Sequence, residues 1–153
     1  MARWLSLAGG VIVLDQLSKI WVLAHFQFME SVPVTAFFNL VLVFNSGAAF
    51  SFLADAGGWQ KWFFILLAAG IASWLLVMLR QHAQERLLPA ALALALGGAL
   101  GNVIDRLRFD AVVDFLDFHL AGYHWPAFNI ADSAISIGVV LMLLHQFQRR
   151  DAP

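Results

Sequence analysis

Four long apolar stretches occupy most of this chain of 153 residues. A helix that crosses the hydrocarbon core of a bilayer needs roughly 20 mostly apolar residues, and the segments that qualify are Trp4 to Ala24, Trp62 to Leu79, Leu88 to Leu107 and Phe128 to Phe147. Backbone polar groups in lipid must be satisfied within the segment, so each stretch is predicted to be a helix. The sequence therefore predicts an all-α membrane protein that forms a single integral membrane domain over residues 1–153.

The composition excludes several classes of function. Hydrophobic residues make up 61% of the chain and charged residues 12%, with a mean hydropathy of +0.79, whereas an ordinary soluble domain has about 25% charged residues. The formal net charge of -1 gives no basic surface for nucleic acid. Because the chain contains no cysteine, disulfides, cysteine zinc sites and thiol nucleophiles are also excluded.

The positive charges predict the topology. If the four spans alternate, one side of the membrane receives Arg3, Arg80, Arg86, Arg149 and Arg150, which places both termini in the cytoplasm. The connections over residues 26–61 and 108–127 then face outward. The first span lacks an evident small-x-small cleavage site and is read as a retained helix rather than a removed signal peptide.

The first outward connection contains the stretch FFNLVLVFNSGAAFSFL. It is rich in aromatic and β-branched residues and is interrupted at Asn45-Ser46-Gly47. This pattern predicts two short strands around a turn, and hence a small outward-facing β-sheet.

Polar residues within the spans are costly and need an explanation, since each ionised side chain costs at least about 2.5–3.5 kcal/mol. Asp15 and Lys19 are spaced i, i+4 on one helical face and can form an ion pair that does no more than stabilise the bundle. In the third span, one face carries Gly98, Asn102, Asp105 and Arg106. The neighbouring Gly97 and Gly101 have the G-x-x-x-G spacing that allows a second helix to approach closely.

Two aspartates stand at the margins of the second outward connection. Asp132 follows Asn129 by three residues, a spacing typical of a helix N-cap with a carboxylate in the first turn. Asp114 lies in the apolar run VVDFLDF with no evident local partner, and Asp117 could be the solvated acid of that run. The predicted topology brings Asp114 and Asp132 to the same side of the membrane.

Two carboxylates held close together in a low-dielectric pocket share one proton, so that one acts as a base and the other as an acid. Such a pair can activate water against a peptide bond without a covalent intermediate. The helix dipole would favour the ionised form of Asp132, which makes it the candidate base and Asp114 the candidate proton donor.

Five sequence blocks together resemble the lipoprotein signal peptidase family, the type II signal peptidases of bacteria. They occur in order along the chain and cover nearly all of it: DQLSK (15–19), NSGAAF (45–50), GGALGNVIDR (97–106), VVDF (112–115) and FNIADS (128–133). The resemblance implies four transmembrane helices, a small outward-facing β-cradle and a short surface helix, here expected between Leu116 and Pro126.

The resemblance also implies an activity. The family consists of aspartyl proteases that cut diacylglyceryl-modified prolipoproteins on the N-terminal side of the lipidated cysteine and are inhibited by globomycin. Matched motif by motif, Asp114 and Asp132 are the expected catalytic pair. The positions expected to bind substrate or shape the site are Asn45, Gly47, Asn102, Asp105, Arg106 and Asn129, and those expected to support it are Asp15 and Lys19.

Further expectations concern partners and location. Lipidated prolipoproteins and membrane lipid are the expected partners, in the bacterial inner membrane, with the site toward the periplasm. A monomer is expected, and no cofactor is expected. A metal site is not expected either, since the five histidines show no H-E-x-x-H or other ligand spacing. Ser18 and Ser133 lack a recognisable histidine partner for nucleophilic catalysis.

Two other classes of function remain as alternatives on the residues alone. Intramembrane acids paired with Arg and Lys also mark proton-coupled transporters, although the chain shows no similar halves and no doubled broken-helix pattern. A membrane scaffold would use the buried polar pairs only to fix helix register. It would leave Asn45-Ser46-Gly47 and the isolated Asp114 unexplained.

Overall fold

The computed structural model describes residues 1–47 and 57–150, and this part of the chain contains four long helices and four strands. The helices are α1 (Ala2–His25), α2 (Gln60–Gln81), α3 (Leu87–Phe109) and α4 (Ile130–Arg150). Each is long and apolar enough to cross a membrane, which confirms the predicted four-helix architecture. The last helix begins two residues after the predicted Phe128, because Asn129 is its cap.

Helix α3 lies at the centre of the bundle and packs against the other three helices. Its small residues allow this close approach. A Cβ added at Gly97 would lie 2.6 Å from the Ala8 carbonyl oxygen of α1, and one at Gly98 would lie 2.3 Å from the Ala131 carbonyl oxygen of α4. The close packing expected from the glycine spacing is therefore confirmed.

Both ends of α3 follow from local backbone chemistry. Pro89 lies in the first turn, where a helix has no use for its missing N–H. At the other end, Asp110 adopts the left-handed conformation with a φ of 61°, and the chain turns directly into the sheet.

The sheet has the strand order β1-β2-β3-β4, with every neighbouring pair antiparallel. The strands are β1 (Ser31–Thr35), β2 (Phe38–Asn45), β3 (Val112–Leu120) and β4 (Tyr123–His124). Strand β2 lies in the predicted aromatic stretch and ends at Asn45. The second predicted strand, beyond Gly47, lies outside the described residues.

The prediction of a short surface helix between Leu116 and Pro126 is wrong. Residues up to Leu120 belong to β3, and β4 pairs back onto it. Ala121 and Gly122, the two residues between the strands, both have positive φ, at 49° and 84°. Positive φ at both positions matches the twist of a tight hairpin, so the residues after the turn form a strand, β4, that pairs with β3.

Strand β3 follows α3 and carries Asp114. Its first four residues, Val112–Phe115, are all buried. Phe115 and Val113 pack in an apolar cluster with Val22 of α1 and Leu42 of β2. A strand buried on both faces reads as a continuous apolar run rather than an alternation, which explains why its sequence did not predict a strand.

Candidate functional site

A cavity of about 710 Å³ lies between the sheet and the ends of α3 and α4 that meet it. Asp114 and Asp132 both line it, and the remaining walls are largely apolar. Four other residues predicted for the site also line the cavity: Asn45, Gly47, Asn102 and Arg106. The tertiary structure thus brings together residues from β2, α3, β3 and α4.

Asp114 is almost completely buried, with 2% of its surface exposed. The side-chain amide of Asn129 donates a 2.7 Å hydrogen bond to Oδ1, and that of Asn45 donates a 3.2 Å bond to Oδ2. Burial, followed by the charge of Asp132, raises the pKa of Asp114 to about 7, although both amides and Lys19 act against this rise. Near neutral pH this carboxyl group can hold or release a proton.

Asp132 occupies the third residue of α4 and completes a capping box. The Asn129 Oδ1 accepts the backbone N–H of Asp132 at 2.9 Å, and the Asp132 Oδ2 accepts the backbone N–H of Asn129 at 3.3 Å. Its other oxygen, Oδ1, accepts a 2.7 Å bond from the side-chain amide of Asn102. The capping role and the placement in the cavity are therefore compatible, although the sequence presented them as alternatives.

Asn129 connects the two aspartates. It is fully buried, and while its carbonyl oxygen caps α4, its amide nitrogen bonds Asp114. This pairing also fixes which end of the amide faces each aspartate, because Asp114 accepts while the Asp132 N–H donates. One side chain thus sets the position of β3 relative to the start of α4.

Asp15, Lys19 and Asp105 form a buried ionic cluster. The Lys19 Nζ lies 2.8 Å from Asp15 Oδ2 and 2.7 Å from Asp105 Oδ2. It also donates a 3.1 Å hydrogen bond to the Oδ1 of Asn102. The predicted Asp15–Lys19 pair is present, but Asp105 belongs to this cluster and does not line the cavity.

Arg106 extends from α3 along another wall of the cavity. Its Nη2 donates a 3.0 Å hydrogen bond to the Gly47 carbonyl oxygen at the end of β2, and its guanidinium lies 5.0 Å from the centre of the Phe64 ring. Its Nε is buried and has no hydrogen-bond partner among residues 1–47 and 57–150. The side chain therefore fixes the end of β2, while its Nε–H donor is left unpaired within this part of the chain.

Asp117 is held in a separate group away from the cavity. Its Oδ2 accepts a 2.8 Å bond from Asn39, and its Oδ1 lies 2.9 Å from His124 Nδ1. Burial alone would raise the pKa of Asp117, but these two hydrogen bonds and the charge of His124 together lower it. Asp117 is thus a partnered structural acid rather than the solvated one considered from the sequence.

Sequence reasoning missed Gln16. Its side-chain amide donates bonds of 2.8 Å to Asp105 Oδ1, 3.2 Å to Asp15 Oδ2 and 3.3 Å to the Gly101 carbonyl oxygen. A glutamine inside an apolar span, adjacent to an aspartate, was the available signal, because an amide in lipid needs partners.

The described residues offer no evident metal site. Among residues 1–47 and 57–150, no three His, Asp or Glu side chains are arranged to hold a metal ion. The two acids that line the cavity accept hydrogen bonds from the side-chain amides of asparagines.

Fold and site together define a polytopic membrane protein with a pair of aspartates lining a largely apolar cavity. A family model described as signal peptidase (SPase) II matches residues 7–148. The chain belongs to this family. It is 62% identical over 148 residues to the lipoprotein signal peptidase of Azoarcus sp. (strain BH72), covering 97% of this chain and 84% of the relative. It is 58% identical over 146 residues to that of Ralstonia nicotianae, covering 95% and 84%.

Two solved structures share the fold. One, described as a bacterial membrane enzyme structure obtained by the in meso method at 2.3 Å resolution, has a TM-score of 0.88 and 31% identity, covering 99% of this chain and 91% of that one. A second, described in the same words at 1.9 Å resolution, has a TM-score of 0.77 and 30% identity, covering 95% and 93%. The similarity in each case extends over nearly the whole chain.

Proposed function

We propose that this protein is an intramembrane aspartyl endopeptidase that removes the signal peptide from diacylglyceryl-modified prolipoproteins by cutting N-terminal to the lipidated cysteine. The observation that carries the proposal is the placement of Asp114 and Asp132, from separate elements, in one largely apolar cavity. Membership of the signal peptidase II family supports the substrate class.

The proposed reaction uses one water molecule and one shared proton. Asp132 takes a proton from water, and the resulting hydroxide attacks the carbonyl carbon of the scissile peptide while Asp114 donates its proton to the carbonyl oxygen. The tetrahedral intermediate then collapses as Asp132 returns its proton to the leaving amine and the C–N bond breaks. Asp114 recovers the proton from the new carboxyl group, which restores the starting state.

Arg106 is the proposed electrostatic partner of the reacting carbonyl. Asn102 has both ends of its amide engaged, by Lys19 and by Asp132, whereas Arg106 retains the Nε described above. A cation on the wall of a low-dielectric cavity stabilises negative charge as it develops on the carbonyl oxygen.

The membrane supplies the substrate to this site. A signal peptide is an apolar helix and a diacylglyceryl group is two lipid chains, so both can reach the cavity laterally from the bilayer, with about 0.8 kcal/mol per buried CH₂ favouring the lipid chains. The distribution of arginines supports the proposal that the cavity faces the outer side of the inner membrane, with both termini in the cytoplasm. Arg3 of the N-terminus already bonds the Ala83 and Glu85 carbonyl oxygens of the α2–α3 loop.

Cleavage of matched substrates by purified protein in lipid bilayers tests this function. A diacylglyceryl-modified prolipoprotein is expected to be cut before its lipidated cysteine, while the same precursor without lipid is cut at least about 10²-fold more slowly, because the lost lipid contacts also position the peptide. Mass spectrometry of the two products locates the cut. No cleavage of the lipidated precursor would refute the proposal and favour the alternative of a proton-coupled transporter.

The raised pKa of Asp114 predicts a pH dependence. As the proton donor, Asp114 must be protonated, so kcat/KM should fall as the pH rises through about 7. At low pH, protonation of both carboxyls removes the base, which gives a bell-shaped profile belonging to the pair. Initial rates measured across the acidic, neutral and mildly alkaline range in uncharged detergent check this. A rate that stays constant as the pH rises from mildly acidic to mildly alkaline would contradict the assignment of Asp114 as donor.

A further inference from the structure

The two carboxylates of the ionic cluster each hold a backbone amide that stands next to a catalytic candidate. Asp15 Oδ1 accepts the N–H of Ala131 at 2.9 Å, and Asp105 Oδ2 accepts the N–H of Val113 at 3.1 Å. Ala131 immediately precedes Asp132, and Val113 immediately precedes Asp114. One cluster thus holds the main chain of both aspartate-bearing elements.

Lys19 joins these two contacts. It is 1% exposed, and its ammonium lies between Asp15 and Asp105, so the oxygens that hold the two amides belong to carboxylates that share one cation. If Lys19 were absent, two carboxylates of like charge would face each other in a buried site, where they repel strongly. Their separation, and with it the separation of the two amides, would then change.

A third contact runs from Lys19 to Asp132 through a side chain. Lys19 donates to the Oδ1 of Asn102, and the Nδ2 of Asn102 donates to Asp132 Oδ1 at 2.7 Å. An ammonium has only donors, so it holds the oxygen end of Asn102 toward itself, together with the longer 3.3 Å bond that the Asn129 amide donates to the same oxygen, and this leaves the nitrogen end of Asn102 for Asp132. In the opposite orientation, the Asn102 oxygen would face a carboxylate and the hydrogen bond would be lost.

We propose that Lys19 is a positioning residue for peptide cleavage, which it serves by orienting Asn102 toward Asp132 and by fixing the two carboxylates that hold the main chain beside both catalytic aspartates. This inference rests on the proposed function. Lys19 lies outside the cavity lining and touches no reacting atom, so it should affect kcat far more than the KM for the substrate.

Removing Lys19 alone cannot separate positioning from stability, because Lys19→Met leaves two buried carboxylates without a cation and is expected to unfold part of the protein. The double variant Lys19→Met with Asp15→Asn avoids this problem, because it removes one positive and one negative charge together. It keeps the single net negative charge that the cluster has in the wild type, and the side-chain oxygen of the introduced asparagine can still accept the Ala131 N–H. The single variant Asp15→Asn retains the bond from Lys19 to Asn102 and is its reference.

Steady-state cleavage of the lipidated precursor provides the decisive measurement. Relative to Asp15→Asn, the double variant is expected to lose at least about 10-fold in kcat, with KM changed less than about 2-fold, since small displacements of catalytic groups cost up to about 10² in rate. Thermal unfolding and gel filtration of the same samples establish that the double variant is folded. Equal kcat values for the two variants would overturn the proposal.

A glutamine in place of the methionine gives a second test that is independent of charge. In the Asp15→Asn background, Lys19→Gln introduces an amide that can donate to the Asn102 oxygen, so it should recover part of the kcat that Lys19→Met loses. Identical kcat for the glutamine and methionine variants would show that the orientation of Asn102 is not set from this position.

The matched control is Lys61→Met. It removes the other lysine of the chain, which lies near the start of α2 and forms an ion pair with Asp110 at the end of α3. It should keep wild-type kcat and KM, and an equal loss there would mean that any lysine removal impairs the protein. Absence of cleavage by the wild type would refute the proposed function and this inference together. Normal wild-type cleavage with an unchanged double variant would refute the positioning role alone.

Discussion

Asp114→Asn and Asp132→Asn are each expected to lower the single-turnover rate of cleavage of the lipidated precursor by about 10⁴-fold, the upper end of what general acid–base catalysis contributes. Each change removes one member of the pair that handles the proton, and the asparagine can neither accept nor donate it. The product is quantified by mass spectrometry after single turnover, with excess enzyme, so that slow product release does not mask the chemical step. The variant that combines both changes should be no slower than either alone, because the two groups act as a unit.

Asp117→Asn is the matched control for this prediction. It removes a carboxylate from the same strand, three residues from Asp114, but outside the cavity. It is expected to change kcat less than about 3-fold, because the hydrogen bonds of Asp117 stabilise the structure and take no part in the proton transfers.

Arg106→Gln should lie between these cases, with kcat about 10²-fold lower, since it removes charge stabilisation and leaves both proton carriers.

Full activity of either aspartate variant would contradict the dyad. In that case the side chain of Asp132 would serve only to cap α4. The side chain of Asp114 would serve only to accept the hydrogen bonds of Asn45 and Asn129. Equal losses in the Asp117→Asn control would instead indicate a general disturbance of strand β3.

Gly98→Ala is expected to cause the largest loss of stability among small substitutions in the bundle. The added Cβ would lie 2.3 Å from the Ala131 carbonyl oxygen and 2.7 Å from Ile135 Cγ1. The first obstacle is backbone, which cannot rotate away, so α4 must move. Overpacking typically costs about 1–3 kcal/mol, and the displaced segment carries Asp132, so cleavage should fall by at least about 10²-fold as well.

Gly70→Ala is the matched control in α2. Apart from the neighbouring residues and backbone of its own helix, nothing lies within 4 Å of its added Cβ, and alanine is the better helix former by about 1 kcal/mol, so the variant should be as stable as the wild type or more so. Thermal unfolding in detergent and cleavage of the lipidated precursor are measured for both variants. A Gly98→Ala protein with wild-type stability and rate would mean that α3 and α4 are less closely packed than the structure shows.

Membrane insertion and the four helices could be read from the sequence because they depend on local properties. A stretch such as Trp62 to Leu79 is apolar over the length of a bilayer, and in lipid its backbone has no alternative to internal hydrogen bonds. Glycine spacing likewise indicated where α3 would be approached. The candidate aspartates were predicted for a similar reason, since the VVDF and FNIADS blocks are short contiguous patterns.

The sheet shows where local pattern was insufficient. The stretch after Asp114 was expected to contain a helix, but β2 lies alongside it, and the pairing of Phe38 with Phe118 and of Val43 with Asp114 comes from residues far apart in the chain. Strand pairing depends on which strands are available as neighbours, which makes it more context-dependent than helix formation.

Hydrophobic length, i, i+4 spacing and short motifs are encoded locally, so the amino-acid sequence was sufficient to predict a four-helix membrane protein and to indicate which acids to consider. How these acids differ depends on the folded structure. Asp117 is partnered by Asn39 and His124, Asp105 binds Lys19, and Asp114 is buried near Asp132. The physical reason is that a carboxyl group's properties depend on burial and on the charges and donors around it, and in this protein those neighbours come from other elements of the fold.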